Sequence, residues 1–407
     1  MTYDVNNKQQ EMAYQLIKDT NVSFFLTGKA GTGKTTFLKK IQEEINKNFI
    51  VLAPTGIAAI NAGGSTLHSF FKLPFHPLLP NDSMYSVRNI RNTLKYNSEK
   101  IKIIREVELI IIDEISMVRA DIIDFIDKVL RVYCRNMREP FGGKQLLLVG
   151  DIYQLEPVVK EEDHKLLNPF YRSSFFFDAK IFQQFQLVSI ELKKVYRQSD
   201  PVFIGILDHI RTSQAQMKDL QLLNQRVGAQ LDESDSKLAI TLSTRRDTVD
   251  FINENQLKLL PGEPTLFRGN IQGEFPESSL PTPIELYLKT GAQIIFIKND
   301  IEHQWVNGTL GTIIGFDDED DAKIYVRTEN GQDVMVEPAA WSNMRYHFNE
   351  VEKKIEEEEI GRYEQYPIRL AWAITVHKSQ GLTFNQVKID FTGGVFACLL
   401  YTSDAAD

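Results

Sequence analysis

Apolar and polar positions follow two different rhythms along this chain. In the first half, short apolar or β-branched runs alternate with stretches of helical spacing. Val22–Thr27, Phe49–Ala53, Val107–Ile112 and Gln145–Val149 read as buried strands, with Lys34–Ile45 and Ala120–Arg135 as helices. That alternation predicts an α/β fold, a parallel sheet covered by helices. The pattern recurs after residue 186, with strands at Leu187–Leu192 and Leu238–Leu242 and a helix at Arg245–Leu260. A second α/β domain is expected there. Beyond a Gly- and Pro-rich stretch at Leu266–Ser279 the rhythm changes to short strands, Gln293–Ile297, Gly311–Phe316, Lys323–Arg327 and Asp333–Val336. Asn307-Gly308 lies between the first two, and Asn-Gly between strands is a strong hairpin signal. The expected organisation is a first domain at 1–185, a second at 186–275 and 361–397, a small β module inserted at 276–360, and a tail at 398–407.

Length agrees, since 407 residues suggest two to three domains. With 43% hydrophobic and 25% charged residues the chain is neither disordered nor collagen-like. Two cysteines exclude a disulfide framework and a multi-cysteine zinc site. No secretion signal is visible, so a cytoplasmic, nucleoid-associated bacterial enzyme is expected. The longest uncharged window, Asn48 to Phe71, is interrupted by Pro54, Gly56, Gly63, Gly64 and His68, so no membrane partner is expected. The net charge of −9 argues against nucleic acid, but its distribution weakens that argument. Residues 1–190 carry 24 Lys and Arg against 21 Asp and Glu, and the remainder 22 against 34. Much of the acidic excess lies in 317–321 and in Glu356-Glu357-Glu358-Glu359, runs that read as solvated loops or helix faces. A local basic groove is compatible with this balance.

Two motifs bring chemistry. Gly28-Lys29-Ala30-Gly31-Thr32-Gly33-Lys34-Thr35 fits G-x-x-x-x-G-K-[ST], follows a strand and opens a helix. Its glycines let backbone N–H groups turn inward around a β-phosphate, and the helix N-terminus adds partial positive charge. Lys34 would reach the β- and γ-phosphates and Thr35 would hold Mg²⁺. Leu109-Ile110-Ile111-Ile112-Asp113-Glu114 is an apolar strand ending in two acids. Asp113 would complete the Mg²⁺ shell and Glu114 would polarise the attacking water. ATP and Mg²⁺ are therefore the expected cofactors. Separately, Leu73–Pro80 has three prolines in its eight residues, which excludes both helix and inner strand. Within an excursion at about 68–100 it is either a plain loop or a protruding wedge that meets a substrate.

Four further stretches complete a pattern: Ala53-Pro54-Thr55-Gly56-Ile57-Ala58-Ala59, Gly150-Asp151-Ile152-Tyr153-Gln154-Leu155-Glu156-Pro157-Val158, Val195-Tyr196-Arg197-Gln198 and Thr375-Val376-His377-Lys378-Ser379-Gln380-Gly381-Leu382-Thr383. In this order and spacing the chain, to about Ala397, resembles superfamily 1B DNA helicases of the Pif-one type (petite integration frequency), akin to RecD. Asp121–Val132 resembles that family's own signature. The resemblance implies two RecA-like domains with an SH-three-like inserted barrel. It implies an ATP-dependent helicase moving 5′ to 3′ on single-stranded DNA, in repair, recombination or genome maintenance. Catalysis would fall to Lys34, Glu114, the γ-phosphate sensor Gln154 and the arginine finger Arg197. Nucleotide contacts would come from Gln9, in a Val5-Asn6-Asn7-Lys8-Gln9 stretch like the family's adenine-reading motif, and from Gly28, Gly31, Gly33, Thr36 and Gly381. Thr55, Gly56, Ser65, His68, Phe71, Lys378 and Ser379 would line the DNA groove, with Phe70 and Phe71 either stacking bases or belonging to the core. The partners implied are single-stranded DNA and single-strand/duplex junctions, bound by a monomer or a DNA-induced dimer.

The sequence departs from the family in two places. Glu156 stands where the family has a proline, and after Val387–Phe391 no Ala-Leu-Ser-Arg motif follows. Ala397–Asp407 instead reads as translated adapter sequence joined to a truncated frame. The alternative expectation is thus a catalytically impaired fragment that binds ATP and single strands. A preference for RNA is the weaker alternative.

Overall fold

A computed structural model of the chain describes residues 7–29, 31–74, 76–196, 201–229, 238–317, 323–380, 382 and 384–392. The chain divides into two compact units. One contains the described residues up to 196 together with Ser342–Gly361, the other the described residues of 198–341 and 362–392.

The first unit is built on six parallel strands: β1 (Phe24–Gly28), β2 (Phe49–Ala53), β3 (Ser65–Thr66), β4 (Leu109–Ile112), β5 (Gln145–Gly150) and β6 (Val188–Leu192). Their order is β3-β2-β4-β5-β1-β6. The inner strands are apolar on both faces because helices cover both. Ile110, Ile112, Leu146 and Leu148 point into a core under the helix Ala120–Cys134. Their neighbours Leu109, Ile111, Leu147 and Val149 point the other way, against Ala13 and Ile17 of Lys8–Asp19 and Phe37 and Ile41 of Lys34–Glu44. The recurring rhythm after residue 186 suggested that Leu187–Leu192 opens the second domain. Instead β6 pairs with β1, Leu26 opposite Ile190. Only Ile190 and Leu192 of β6 are buried, the pattern of an edge strand, and periodicity alone does not say which sheet an edge strand joins.

The proline-rich excursion is held down. Leu73, Leu78, Tyr85, Ile90 and Leu94 enter the core of the first unit. Leu78 N–H donates to Asp121 at 2.9 Å, and Arg119 grips the same carboxylate with two bonds of 2.8 Å. Asp121, the first residue of the signature helix, is thereby a buried anchor for this segment.

The second unit has a three-stranded parallel sheet ordered Ala373–Thr375, Ala239–Ser243, Gln386–Asp390, with the helix Arg246–Leu259 beside it. Its β module is antiparallel, ordered Asp333–Val336, Ile324–Thr328, Leu310–Phe316, Gln293–Phe296, Ile368–Leu370. Thr265–Arg268 and Glu285–Leu288 form a further pair around the same core, so the module begins before 276 and ends after 360. Gly308, at φ 98°, makes the expected turn.

The four-glutamate run is neither loop nor helix. It lies in the strand Lys354–Gln365, next to Ala339–Asn349. Strand alternation hands its acids to different partners: Glu356 to Asn349 and His347, Glu358 to Arg345, Glu359 to Ser342. The part of this hairpin in the first unit seats Tyr346 on β2. Its hydroxyl accepts from Val51 N–H (2.9 Å) and donates to Val51 C=O (3.1 Å), satisfying backbone beyond the two-residue β3. Among the described residues no helix is long and apolar enough to cross a membrane.

Candidate nucleotide and nucleic-acid site

Parallel strands bring their carboxyl ends to one edge of the sheet, and ligands of α/β proteins gather there. β4, β5 and β1 are neighbours, so three motifs meet at that edge. β1 ends at Gly28, with Thr27 opposite Gly150 of β5. β5 runs into Asp151 and Gln154, and β4 into Asp113 and Glu114.

The loop after β1 is tightly determined. Gly31 and Gly33 have φ of 71° and 88°, left-handed values that favour glycine, and Gly33 caps the helix Lys34–Glu44. A Cβ at Gly28 would lie 2.6 Å from Thr32 Oγ1 and 2.8 Å from Leu192 O. Thr32 is fully buried, donating through N and Oγ1 to Lys29 C=O. Lys34 Nζ folds back onto the carbonyls of Gly28 (2.6 Å) and Lys29 (3.1 Å). Its cation therefore sits over the loop where the β- and γ-phosphates would lie. Thr35 is exposed and Thr36 half-buried.

Asp113 accepts from Glu114 N–H at 3.0 Å. Burial pushes its carboxyl up, opposed by that N–H and by the Lys34 charge, which reaches it from the neighbouring loop. Glu114 has φ 50°, a left-handed backbone for a non-glycine residue. Strain of this sort, roughly 1–3 kcal/mol, collects at functional sites. Gln154 is 8% exposed, and its N–H donates to the C=O of buried Asp151. Among the described residues no group of three or more His, Cys, Asp or Glu could hold a metal alone. Mg²⁺ on a nucleotide is bound largely by phosphate and water, so Thr35 and Asp113 suffice as protein ligands. The residues fit the group.

The N-terminal helix reaches the same loop through a different glutamine from the one expected. Asn7 caps the helix by accepting from Gln9 and Gln10 N–H. Gln9 is half-buried, whereas Gln10 is 2% exposed and its Oε1 is sealed with no partner. Gln10 Nε2 lies 2.9 Å from where a Gly33 Cβ would stand. A polar residue on the buried stripe Gln10, Ala13, Ile17 was the available signal. Tyr196 was also missed. Its N–H donates to Gly31 C=O (2.9 Å), and its hydroxyl accepts from Asn7 Nδ2 (3.1 Å). Because β6 lies beside β1, the chain leaving it crosses the phosphate loop. Arg197 and Gly381 lie outside the described residues.

The residues expected in the DNA groove are divided between surface and core. Thr55 is exposed and caps the helix Gly56–Ala62, its hydroxyl accepting from Ala58 N–H. Ser65 donates to Met344 C=O. His68 is half-buried, and burial with the nearby Arg119 charge lowers its pKa. Phe71 is fully buried, edge-on to Phe70, so the expectation that it stacks a base is corrected: neither face is available. In the second unit Lys378 is exposed. Ser379 is 1% exposed and its hydroxyl is spent on Val376 C=O, which corrects its placement on a groove.

A family model described as PIF1-like helicase matches residues 5–219. The ATP-dependent DNA helicase PIF1 of Rattus norvegicus is 33% identical over 92% of this chain, which spans 55% of that relative, about half its length. The structure of Bacteroides sp. Pif1 in complex with ADP-AlF4 is 39% identical, with a TM-score of 0.88 over 99% of this chain and 93% of that one. Bacteroides Pif1 bound to ssDNA is also 39% identical, with a TM-score of 0.65 over 99% of this chain and 90% of that one.

Proposed function

This chain belongs to the PIF1-like helicase family, and we propose that it is an ATP-dependent DNA helicase moving 5′ to 3′ along single-stranded DNA. The observation that carries the reading is the meeting of the glycine loop, Asp113-Glu114 and Asp151–Gln154 at adjacent strand ends. Lys34 would exchange its carbonyl partners for the β- and γ-phosphates. Thr35 and Asp113 would hold Mg²⁺, which when bound neutralises phosphate charge. Glu114 would orient and polarise the attacking water, and Gln154 would report the γ-phosphate. Arg197, which follows the tethered Tyr196, is our candidate arginine finger. Thr55, Gly56 and Lys378 offer backbone and charge to a DNA strand without reading its bases, as a translocating enzyme requires. The sealed oxygen of Gln10 beside Gly33 makes it a second candidate, with Gln9, for adenine contact. Junction binding and a monomeric state complete the proposal.

The test is ATPase with and without single-stranded DNA, together with unwinding of duplexes bearing a 5′ or a 3′ tail. DNA-stimulated turnover and opening from the 5′ tail are expected. Unwinding from the 3′ tail alone, or turnover indifferent to DNA, would overturn the reading.

A further inference from the structure

In the second unit three cations share one carboxylate. Arg369 is the middle residue of Ile368–Leu370, paired opposite Ile295. Ile368 enters the β-module core, so strand alternation turns Arg369 to the other face. Its Nε is buried with no hydrogen-bond partner, and its terminal nitrogen reaches only Leu280 C=O at 3.5 Å. Arg246 opens the helix Arg246–Leu259 and meets Asp250 at 3.5 Å, a largely exposed pair. Lys378 lies on the short helix Val376–Ser379. Each feels the others. Burial and the Arg246 charge lower Arg369 to about 10, against Tyr363 and Asp250. Burial, then Arg369 and Arg246, lowers Lys378 to about 8, against Asp250.

A guanidinium with a sealed, unmatched donor is costly, and two neighbouring cations add repulsion. A doubly accepting anion relieves both, and a guanidinium fork suits phosphate oxygens. Asp250 answers only one of the three charges. We propose that Arg369, Lys378 and Arg246 form a phosphate-binding site that holds the backbone of the single strand on the second unit. This rests on the helicase reading above. Arg369 is its specific addition, because a buried strand arginine is read from sequence as neither core nor groove.

The test uses the full chain and a fluorescent oligothymidylate, with affinity followed against salt, and a fluorescent ATP analogue in parallel. Arg369→Gln should weaken oligonucleotide binding about tenfold or more. It should also make the slope of log K against log salt shallower by about 0.7. Analogue binding should be unchanged. Arg246→Gln, at an exposed position where folding is not at stake, should also make the salt slope shallower. Arg369→Lys should recover part of the affinity. Unchanged slopes in Arg369→Gln and Arg246→Gln, while the parent chain binds the oligonucleotide, would sink this site alone. A loss confined to the ATP analogue would reassign it to nucleotide phosphate and overturn the proposal. A parent chain that does not bind the oligonucleotide would overturn the helicase reading with it.

Discussion

In the first unit the groups aimed at phosphate are largely backbone, gathered where parallel strands end. In the second they are side-chain cations, Arg369, Lys378 and Arg246, around the single carboxylate Asp250. A backbone cradle needs particular φ values and no Cβ, so it writes itself into sequence as glycines at fixed spacing. A side-chain cluster needs only charge at positions that the fold happens to bring together. The first arrangement gives one defined phosphate position, suited to chemistry. The second gives attraction tolerant of position, suited to a strand that must slide.

The sharpest break in this comparison is Lys34→Ala. It removes the one side-chain charge inside the backbone cradle, and ATP turnover should fall about a hundredfold to a thousandfold, as when a key transition-state donor is lost. Oligonucleotide affinity without nucleotide should hold, and circular dichroism should show an intact fold. Near-normal turnover would mean the loop is not the nucleotide site. Phe71→Ala comes next and tests core against groove. Its ring is fully buried beside Phe70, so truncation should cost about 3–5 kcal/mol in chemical denaturation. Binding of oligonucleotide by the remaining folded protein should be unaltered. A binding loss without a stability loss would restore the stacking role.

How much was legible follows the same division. Phe49–Ala53 and Asp333–Val336 were read to the residue, because an apolar run bounded by turns has one interpretation. The glycine loop and Asp113-Glu114 were read with their chemistry because backbone geometry demands those residues. β6 was assigned to the wrong sheet, since a one-faced strand carries no label of its neighbour. The long hairpin 339–365 was missed because four consecutive glutamates hide strand alternation. Gln10 and Tyr196 were missed because their importance lies in contacts made across 20 to 190 residues of chain, by folding of the helix and of β6 onto the loop. Ser379 carried a motif's promise, but one hydrogen bond to Val376 turns it inward. Arg369 gave no signal at all.

Gly33→Ala asks how exacting the cradle is. At φ 88° an L-residue loses roughly 1–2 kcal/mol, and the added Cβ must displace Gln10 Nε2 from 2.9 Å. A lower melting temperature and weaker ATP-analogue binding are expected together. Adding Gln10→Ala should return part of the stability, because the clash partner is gone, while the backbone cost stays. If Gly33→Ala binds the analogue like the parent, the cradle tolerates a side chain and its contrast with the second unit weakens.

The smallest effect concerns pH, and it separates a charge cluster from a backbone cradle. Lys378 is lowered to about 8 by burial and by Arg369 and Arg246, with Asp250 opposing. Below that value it is protonated and attracts phosphate; above it the charge is lost. A bound phosphate favours the protonated form, so binding should take up protons near pH 8. Oligonucleotide affinity should therefore decline between pH 7.5 and 9.5, by up to a few-fold, the scale of one screened charge contact. His377 and His68 are lowered below their ordinary values by burial, so both are neutral throughout this window and contribute no slope. Lys100, lowered to about 7 by burial in the first unit, loses most of its charge before the window is crossed. Lys378→Gln should bind more weakly at pH 7.5 and show a flatter profile, meeting the parent curve near pH 9.5. Parallel curves for the two proteins would assign the pH dependence to another group and remove Lys378 from the cluster. ATP-analogue affinity should show no Lys378-dependent step across the same range, because the first unit's loop holds phosphate with N–H groups that do not titrate there.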